Sequence, residues 1–142
     1  MAKESVANEA VVDALRAALK KQGYKVSPRR PFGAQGADVV AEKDGEKVVA
    51  EVVGYKSSGP ARRSDFAVAF WVTIGRVDDY PDAKVVIALP SQFERGLGAR
   101  LDSRRGAWER IGRAFPELEI WLVDVLGQDY KRCPWMQLLS EL

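Results

Sequence analysis

Gly36-Ala37-Asp38-Val39-Val40-Ala41-Glu42-Lys43-Asp44-Gly45-Glu46-Lys47-Val48-Val49-Ala50-Glu51-Val52-Val53-Gly54-Tyr55 is the stretch on which the reading of the fold turns. Two valine-rich runs, Ala37 to Lys43 and Glu46 to Tyr55, flank an Asp-Gly pair. Asp-Gly accepts the positive φ angles of a two-residue hairpin turn, so the runs are predicted to pair antiparallel. With Asp44 and Gly45 as the turn, Lys43 faces Glu46, Glu42 faces Lys47, Val40 faces Val49, and Asp38 faces Glu51. Two carboxylates are then opposed, with Cβ atoms about 4.5 to 5.5 Å apart, which is destabilising unless something neutralises them. A divalent cation such as Mg²⁺ or Mn²⁺ would do so, because hard cations take carboxylate oxygens and keep waters that leave room for a phosphate. The competing reading is a hairpin that ends in solvent, where a repulsion of about a few tenths of a kcal/mol is tolerated.

Outward from the hairpin, residues 5 to 22 read as an amphipathic helix, with Val11 or Val12, Leu15, Ala18 and Leu19 at helical spacing and Gly23 as its stop. Tyr24 to Ser27 reads as a short strand, followed by a Pro-, Gly- and Arg-rich loop over Arg29 to Gly36. Past the hairpin, Ser64 is predicted to cap a largely buried helix that runs to about Val77, with Phe66, Ala69, Phe70 and Ile74 on one stripe. Lys84 to Leu89 and Leu118 to Val125 are near-continuous apolar runs, the pattern of interior strands covered on both faces. Between them, Ser91 with Glu94 has the spacing of a capping box, Arg100 to Phe115 reads as a basic helix, and Pro134 to Leu142 reads as a last one. An antiparallel meander feeding a right-handed crossover into parallel strands is the economical topology, and the class is α/β.

With 142 residues, the chain fits one domain spanning 1–142. No apolar run approaches the roughly 20 residues needed to cross a bilayer, and the acids Glu4, Glu9 and Asp13 interrupt any signal-peptide pattern, so the expected location is cytoplasmic and no membrane partner is expected. With no histidine and only Cys133, the chain lacks nitrogen and sulfur ligands for zinc and any serine–histidine or cysteine–histidine chemistry. A bound metal must therefore be held by oxygen.

Gly36-Ala37-Asp38, the hairpin, and Ala50-Glu51-Val52-Val53-Gly54-Tyr55 resemble the signature of the PD-(D/E)xK nuclease-like superfamily. Ser58-Gly59-Pro60 followed by Ser64-Asp65-Phe66 further resembles XisH-type proteins, relatives implicated in excision of DNA elements. The resemblance covers about residues 5 to 125 and implies a restriction endonuclease-like three-layer core. Its mixed sheet has the order helix-strand-strand-strand-helix-strand, extended here by a helix, a strand and a C-terminal helix. It also implies a Mg²⁺- or Mn²⁺-dependent DNA phosphodiesterase, with Asp38 and Glu51 as the catalytic acids. Glu9 matches the helical glutamate that Holliday-junction resolvases among its members add as a third metal ligand beside Asp38 and Glu51. Many members act as dimers, so a homodimer is a further expectation.

The pattern breaks at two places. The superfamily's lysine, two residues after the second acid, is Val53, and a glutamine common in the following helix is Val72, with Arg76 four residues on. An aliphatic group can neither position water nor stabilise charge, and losing such a contact typically costs on the order of 10² to 10³ in rate. Lys56 is the substitute catalytic candidate, but five residues beyond Glu51 it has the wrong strand parity and reaches the site only if the chain bends after Gly54. Otherwise it is a solvated loop lysine. Two readings follow: a phosphodiesterase with a degenerate site, or an inactive nuclease fold kept for DNA binding or protein interaction. Arg62, Arg63, Arg100, Arg104 and Arg105 are the candidate DNA-phosphate contacts, weighed against an ordinary charged helix surface. Trp71, Trp108, Trp121 and Trp135 are expected in the core rather than stacked on bases.

Overall fold

The computed structural model describes residues 5–29 and 36–140. The hairpin forms as its turn chemistry requires, with Asp44 and Gly45 both at positive φ, 51° and 82°. Strand β2 (Val39–Lys43) pairs antiparallel with β3 (Glu46–Val52) in the expected register, Lys43 on Glu46 and Val40 on Val49. The short β1 (Lys25–Val26) pairs antiparallel with β2 along its outer edge. Helix α2 (Gly59–Asp79) then carries the chain to β4 (Lys84–Pro90), which lies parallel to β3, and β5 (Leu118–Asp124) lies parallel to β4. A last strand, β6 (Asp129–Pro134), returns antiparallel to β5. The result is one six-stranded mixed sheet in chain order, with the apolar β3, β4 and β5 inside.

Two apolar layers sandwich this sheet. Helix α1 (Asn8–Lys21) buries Val11, Leu15 and Leu19 against Val39, Val48, Ala50, Val86 and Trp121 on one face. On the other face α2 joins α3 (Glu94–Asp102), α4 (Arg105–Ala114) and α5 (Trp135–Ser140) over Val85, Ile87, Leu89, Ile120 and Leu122. Strand alternation assigns Val48, Ala50 and Val52 to the α1 layer and Glu51 and Val53 to the α2 side.

Several sequence expectations need correction. Helix α1 begins at Asn8, because Val6 forms a bridge with Tyr55 instead. Helix α2 begins at Gly59 rather than Ser64: Ser58 accepts from the Ala61 N–H, and Pro60, lacking an N–H, suits the first turn. This helix is not largely buried, since only Ala69 and Thr73 are enclosed. Trp71 is 82% exposed, against the expected core position, whereas Trp121 and Trp135 are buried and Trp108 is half-buried. The Ser91–Glu94 box does not close; Ser91 opens a 3₁₀ turn without a side-chain cap. The single basic helix is two, α3 and α4, broken where Ser103 Oγ turns back to donate to the Arg100 carbonyl. Strand β6 was missing from the sequence reading because Asp129-Tyr130-Lys131-Arg132-Cys133-Pro134 is polar, as suits an edge strand. Residues 30–35 of the expected loop and 141–142 of the expected last helix lie outside the described residues.

The polar edge strand also carries an arginine that pairs with a buried acid. Arg132 donates through Nε and Nη2 to the two oxygens of Glu119, each at 3.0 Å, and through Nη1 to Glu46 at 2.9 Å. Its guanidinium also lies over the Trp121 ring, and the Trp121 indole N–H donates to Glu119 at 2.8 Å. Burial pushes the Glu119 carboxyl up, but these hydrogen bonds outweigh it and hold the group below its ordinary 4.5. A lowered carboxyl contributes stability that is present above its ordinary pKa and lost as pH falls through the folded value. Arg132→Met is therefore expected to cost about 2 to 3 kcal/mol, at or below the low end for breaking a buried pair because Arg132 is partly solvated. Urea unfolding of both proteins at pH 7 and below pH 4.5 checks this: the gap should be widest at neutral pH and narrow in acid.

Candidate functional site

The hairpin register stops one residue short of the acids. Val39 pairs with Ala50, and just beyond it the Asp38 N–H donates to the Ala50 carbonyl at 3.1 Å. The Asp38 side chain turns along the neighbouring strand, where Oδ2 accepts from the Val52 N–H at 2.8 Å. Glu51 lies beside it in β3, flanked on the other side by Ile87 of β4, and is only 9% exposed. The carboxylates are brought together, and the charge that meets them comes from the chain itself. Arg76, projecting from α2, places Nε 2.7 Å from Glu51 Oε1 and Nη1 3.1 Å from Asp79 Oδ2. Burial pushes the Glu51 carboxyl up, the Arg76 hydrogen bond pulls it down, and the neighbouring Asp38 adds to the rise; the net shift is upward.

Glu51 opens onto a cavity of about 390 Å³ whose other walls include Asn8, Val53, Lys56, Asp65 and Val72. Val53 and Val72, the two positions at which the resemblance breaks, therefore both line the cavity of the acid. Lys56 reaches the same cavity because the chain leaves strand geometry after Val52. Asn8 Oδ1 accepts from the Gly54 N–H at 2.6 Å, and Tyr55 exchanges two 2.8 Å backbone hydrogen bonds with Val6. A Cβ on Gly54 would lie 2.4 Å from the Val6 carbonyl oxygen, so this close approach requires glycine. The ammonium of Lys56 is 3.1 Å from Asp65 Oδ2 at a well-exposed position.

The third expected acid stands elsewhere. Glu9 pairs with Arg29, which also holds Asp13, and its side chain is 72% exposed. Among the described residues no group of three or more histidine, cysteine or acidic side chains converges as a metal cage. The expected three-ligand set for Mg²⁺ or Mn²⁺ thus does not fit. Two carboxylates remain, and both are already engaged: Asp38 with the Val52 N–H, Glu51 with Arg76, and each with the other.

The five candidate DNA-contact arginines separate. Arg62 and Arg100, joined by Arg95, line a second cavity of about 210 Å³ with Tyr55. Arg63 and Arg104 are exposed and line neither cavity. Arg105 is committed to the fold through Asp102 at 3.2 Å and the Leu139 carbonyl at 3.1 Å. A third hollow, of about 460 Å³, borders both cavities, sharing Asn8 and Lys56 with the first and Tyr55 with the second. Sequence reasoning placed Arg76 at the right helical position but gave it no partner, and passed over Asn8, Asp65 and Arg95. The Arg76 pairing was open to inference: two opposed acids need a cation, and beyond Arg62 and Arg63 near its start Arg76 is the one basic residue of α2.

No protein-family model and no curated protein matches this chain. Two solved structures resemble it. One is the crystal structure of an FdxN element excision controlling factor protein from Anabaena variabilis, 19% identical, covering 89% of this chain and 98% of that one at a TM-score of 0.64. The other is an XisH family protein from Nostoc punctiforme, 20% identical, covering 87% of this chain and 98% of that one, also at 0.64. The chain therefore shares the α/β fold of these proteins, in line with the resemblance of its Ser58-Gly59-Pro60 and Ser64-Asp65-Phe66 segments.

Two outcomes test this geometry. Gly54→Ala should lose about 1 to 3 kcal/mol, the usual cost of forcing a methyl into a filled space, measured by denaturant unfolding. In a carboxyl-resolved NMR titration, Arg76→Ala should move the Glu51 midpoint further up, because burial and Asp38 then act without opposition.

Proposed function

We propose that this chain is a DNA-binding protein with a PD-(D/E)xK nuclease-like fold in which an internal arginine has taken over the charge-neutralising task of a catalytic metal. The observation that carries this reading is the Arg76–Glu51 pair at 2.7 Å, with both side chains mostly buried. A guanidinium in that place cannot activate water as a metal ion does, but it offsets part of the repulsion that would destabilise the hairpin end. Val53 and Val72 beside Glu51 support the same conclusion, because a nuclease cavity needs polar groups that orient water and stabilise charge on phosphate. The name of the A. variabilis protein, an excision controlling factor, is consistent with a DNA-associated role for the shared fold.

A second reading has its own support. Lys56 shares the cavity of Glu51, so a Mg²⁺- or Mn²⁺-dependent phosphodiesterase with Lys56 in place of the missing lysine is the alternative. The deciding experiment incubates linear, single-stranded and branched DNA with the parent and with Val53→Lys in Mn²⁺, and measures DNA binding across a salt series. The proposal expects salt-sensitive binding by both proteins and no cleavage by the parent. Chelator-sensitive cleavage by the parent that disappears in Asp38→Ala would establish the second reading instead, and no binding at any salt concentration would remove the DNA role.

A further inference from the structure

The second cavity is rich in arginine. Arg62, Arg95 and Arg100 all line it, together with Tyr55, Gln92 and Gly96, and no carboxylate is among its walls. Arg29, Arg76, Arg105 and Arg132 are each ion-paired, whereas among the described residues none of these three guanidinium groups is paired with an acid. Glu94, beside Arg95 in the first turn of α3, is exposed and does not line the hollow. Asp102, two residues beyond Arg100, is already taken by Arg105.

The floor of the hollow is fixed before any ligand arrives. Tyr55 is tied to Val6 through both backbone groups, and its ring meets Phe93 edge-on at 5.1 Å. Arg62 lies over the other part of that ring, 4.6 Å from its centroid, and donates through Nη1 to the Lys56 carbonyl at 2.7 Å. A guanidinium stacked and hydrogen-bonded in this way loses little further freedom when it binds, and its remaining N–H groups keep their fork geometry. Arg95 and Arg100 come from α3, and Gly96 between them leaves open space where a side chain would stand.

We propose that this hollow is a binding subsite for a phosphate monoester, such as the terminal phosphate at a DNA strand end. Three arginines around one small hollow exceed what a single backbone phosphodiester, with one negative charge, would balance. A terminal phosphate carries about −1.5 to −2 charge at neutral pH and three acceptor oxygens, and so matches the cluster better. The strand-end identity rests on the DNA-binding reading, since the hollow at Tyr55 and Lys56 shares walls with both this subsite and the Glu51 cavity. The phosphate chemistry itself does not depend on that reading.

The test separates the two claims. Inorganic phosphate is titrated into ¹⁵N-labelled protein while the arginine Nε–H signals are followed, and a short 5′-phosphorylated single strand is compared with its 5′-hydroxyl twin by fluorescence anisotropy. Arg100→Gln and Arg95→Gln serve as variants; neither arginine holds a salt bridge within the fold, and circular dichroism confirms their folding. The expected result is that phosphate shifts the signals of Arg62, Arg95 and Arg100 in the parent. The 5′-phosphate should tighten DNA binding about tenfold, with that advantage lost in either variant. Absence of any phosphate-dependent shift at these arginines overturns the subsite. Equal binding of both strands, weakened alike by the variants, overturns the monoester assignment in favour of backbone contact. A phosphate response without binding of either strand keeps the subsite and removes the DNA reading.

Discussion

Two adjacent carboxylates, one at the entry to β2 and one buried in β3, need a compensating positive charge, and the architecture around them follows from how this chain supplies it. Asp38 and Glu51 are brought together by the hairpin register and by the backbone hydrogen bonds at its open end. Arg76 closes the arrangement from the helix that crosses the sheet, so α2 is held to β3 by charge as well as by its apolar contacts. That helix also packs on the sheet through Phe66, Ala69, Phe70, Ile74 and Val77, while Trp71 and Val68 face outward. The ion pair thus contributes to both the position of α2 and the character of the cavity beneath it.

The same logic operates at the opposite side of the sheet, where Glu119 is enclosed and Arg132, from the edge strand, satisfies both its oxygens. Each buried acid of the sheet is answered by one arginine from a neighbouring element, and both arginines are ion-paired within the fold. The arginines of the Tyr55 hollow differ in this respect, because Arg62, Arg95 and Arg100 have no acidic partner among the described residues. Charge satisfaction therefore sets the ion-paired arginines that build the fold apart from the three that line the hollow.

Much of the hairpin and central sheet was legible in the sequence, because Asp-Gly sets a turn, the turn sets a register, and apolar runs mark interior strands. Lys43 on Glu46 and Val40 on Val49 follow from that chemistry alone. The edge strand β6 was hidden because its burial is partial and its residues polar. The extent of α2 was misjudged because a local cap at Ser58 with Pro60 competes with the equally plausible signal at Ser64. In the site, strand parity grouped Glu51 with Val53, and the glycine approach at Gly54 explains how Lys56 joins them despite its parity. Glu9 was assigned by resemblance, and no local rule could have foreseen that Arg29 holds it outward.

The central claim is that Arg76 stands in for a cation at the acid pair. Its most direct test is Mn²⁺ binding to the parent and to Arg76→Ala, followed by electron paramagnetic resonance of the free ion at neutral pH. The account predicts weak binding by the parent and at least about tenfold tighter binding once the guanidinium charge is gone, since two unscreened carboxylates then face the ion. Tight binding by the parent that is unchanged or weakened in Arg76→Ala would contradict it, because the arginine would then be a support of a metal site and not its replacement.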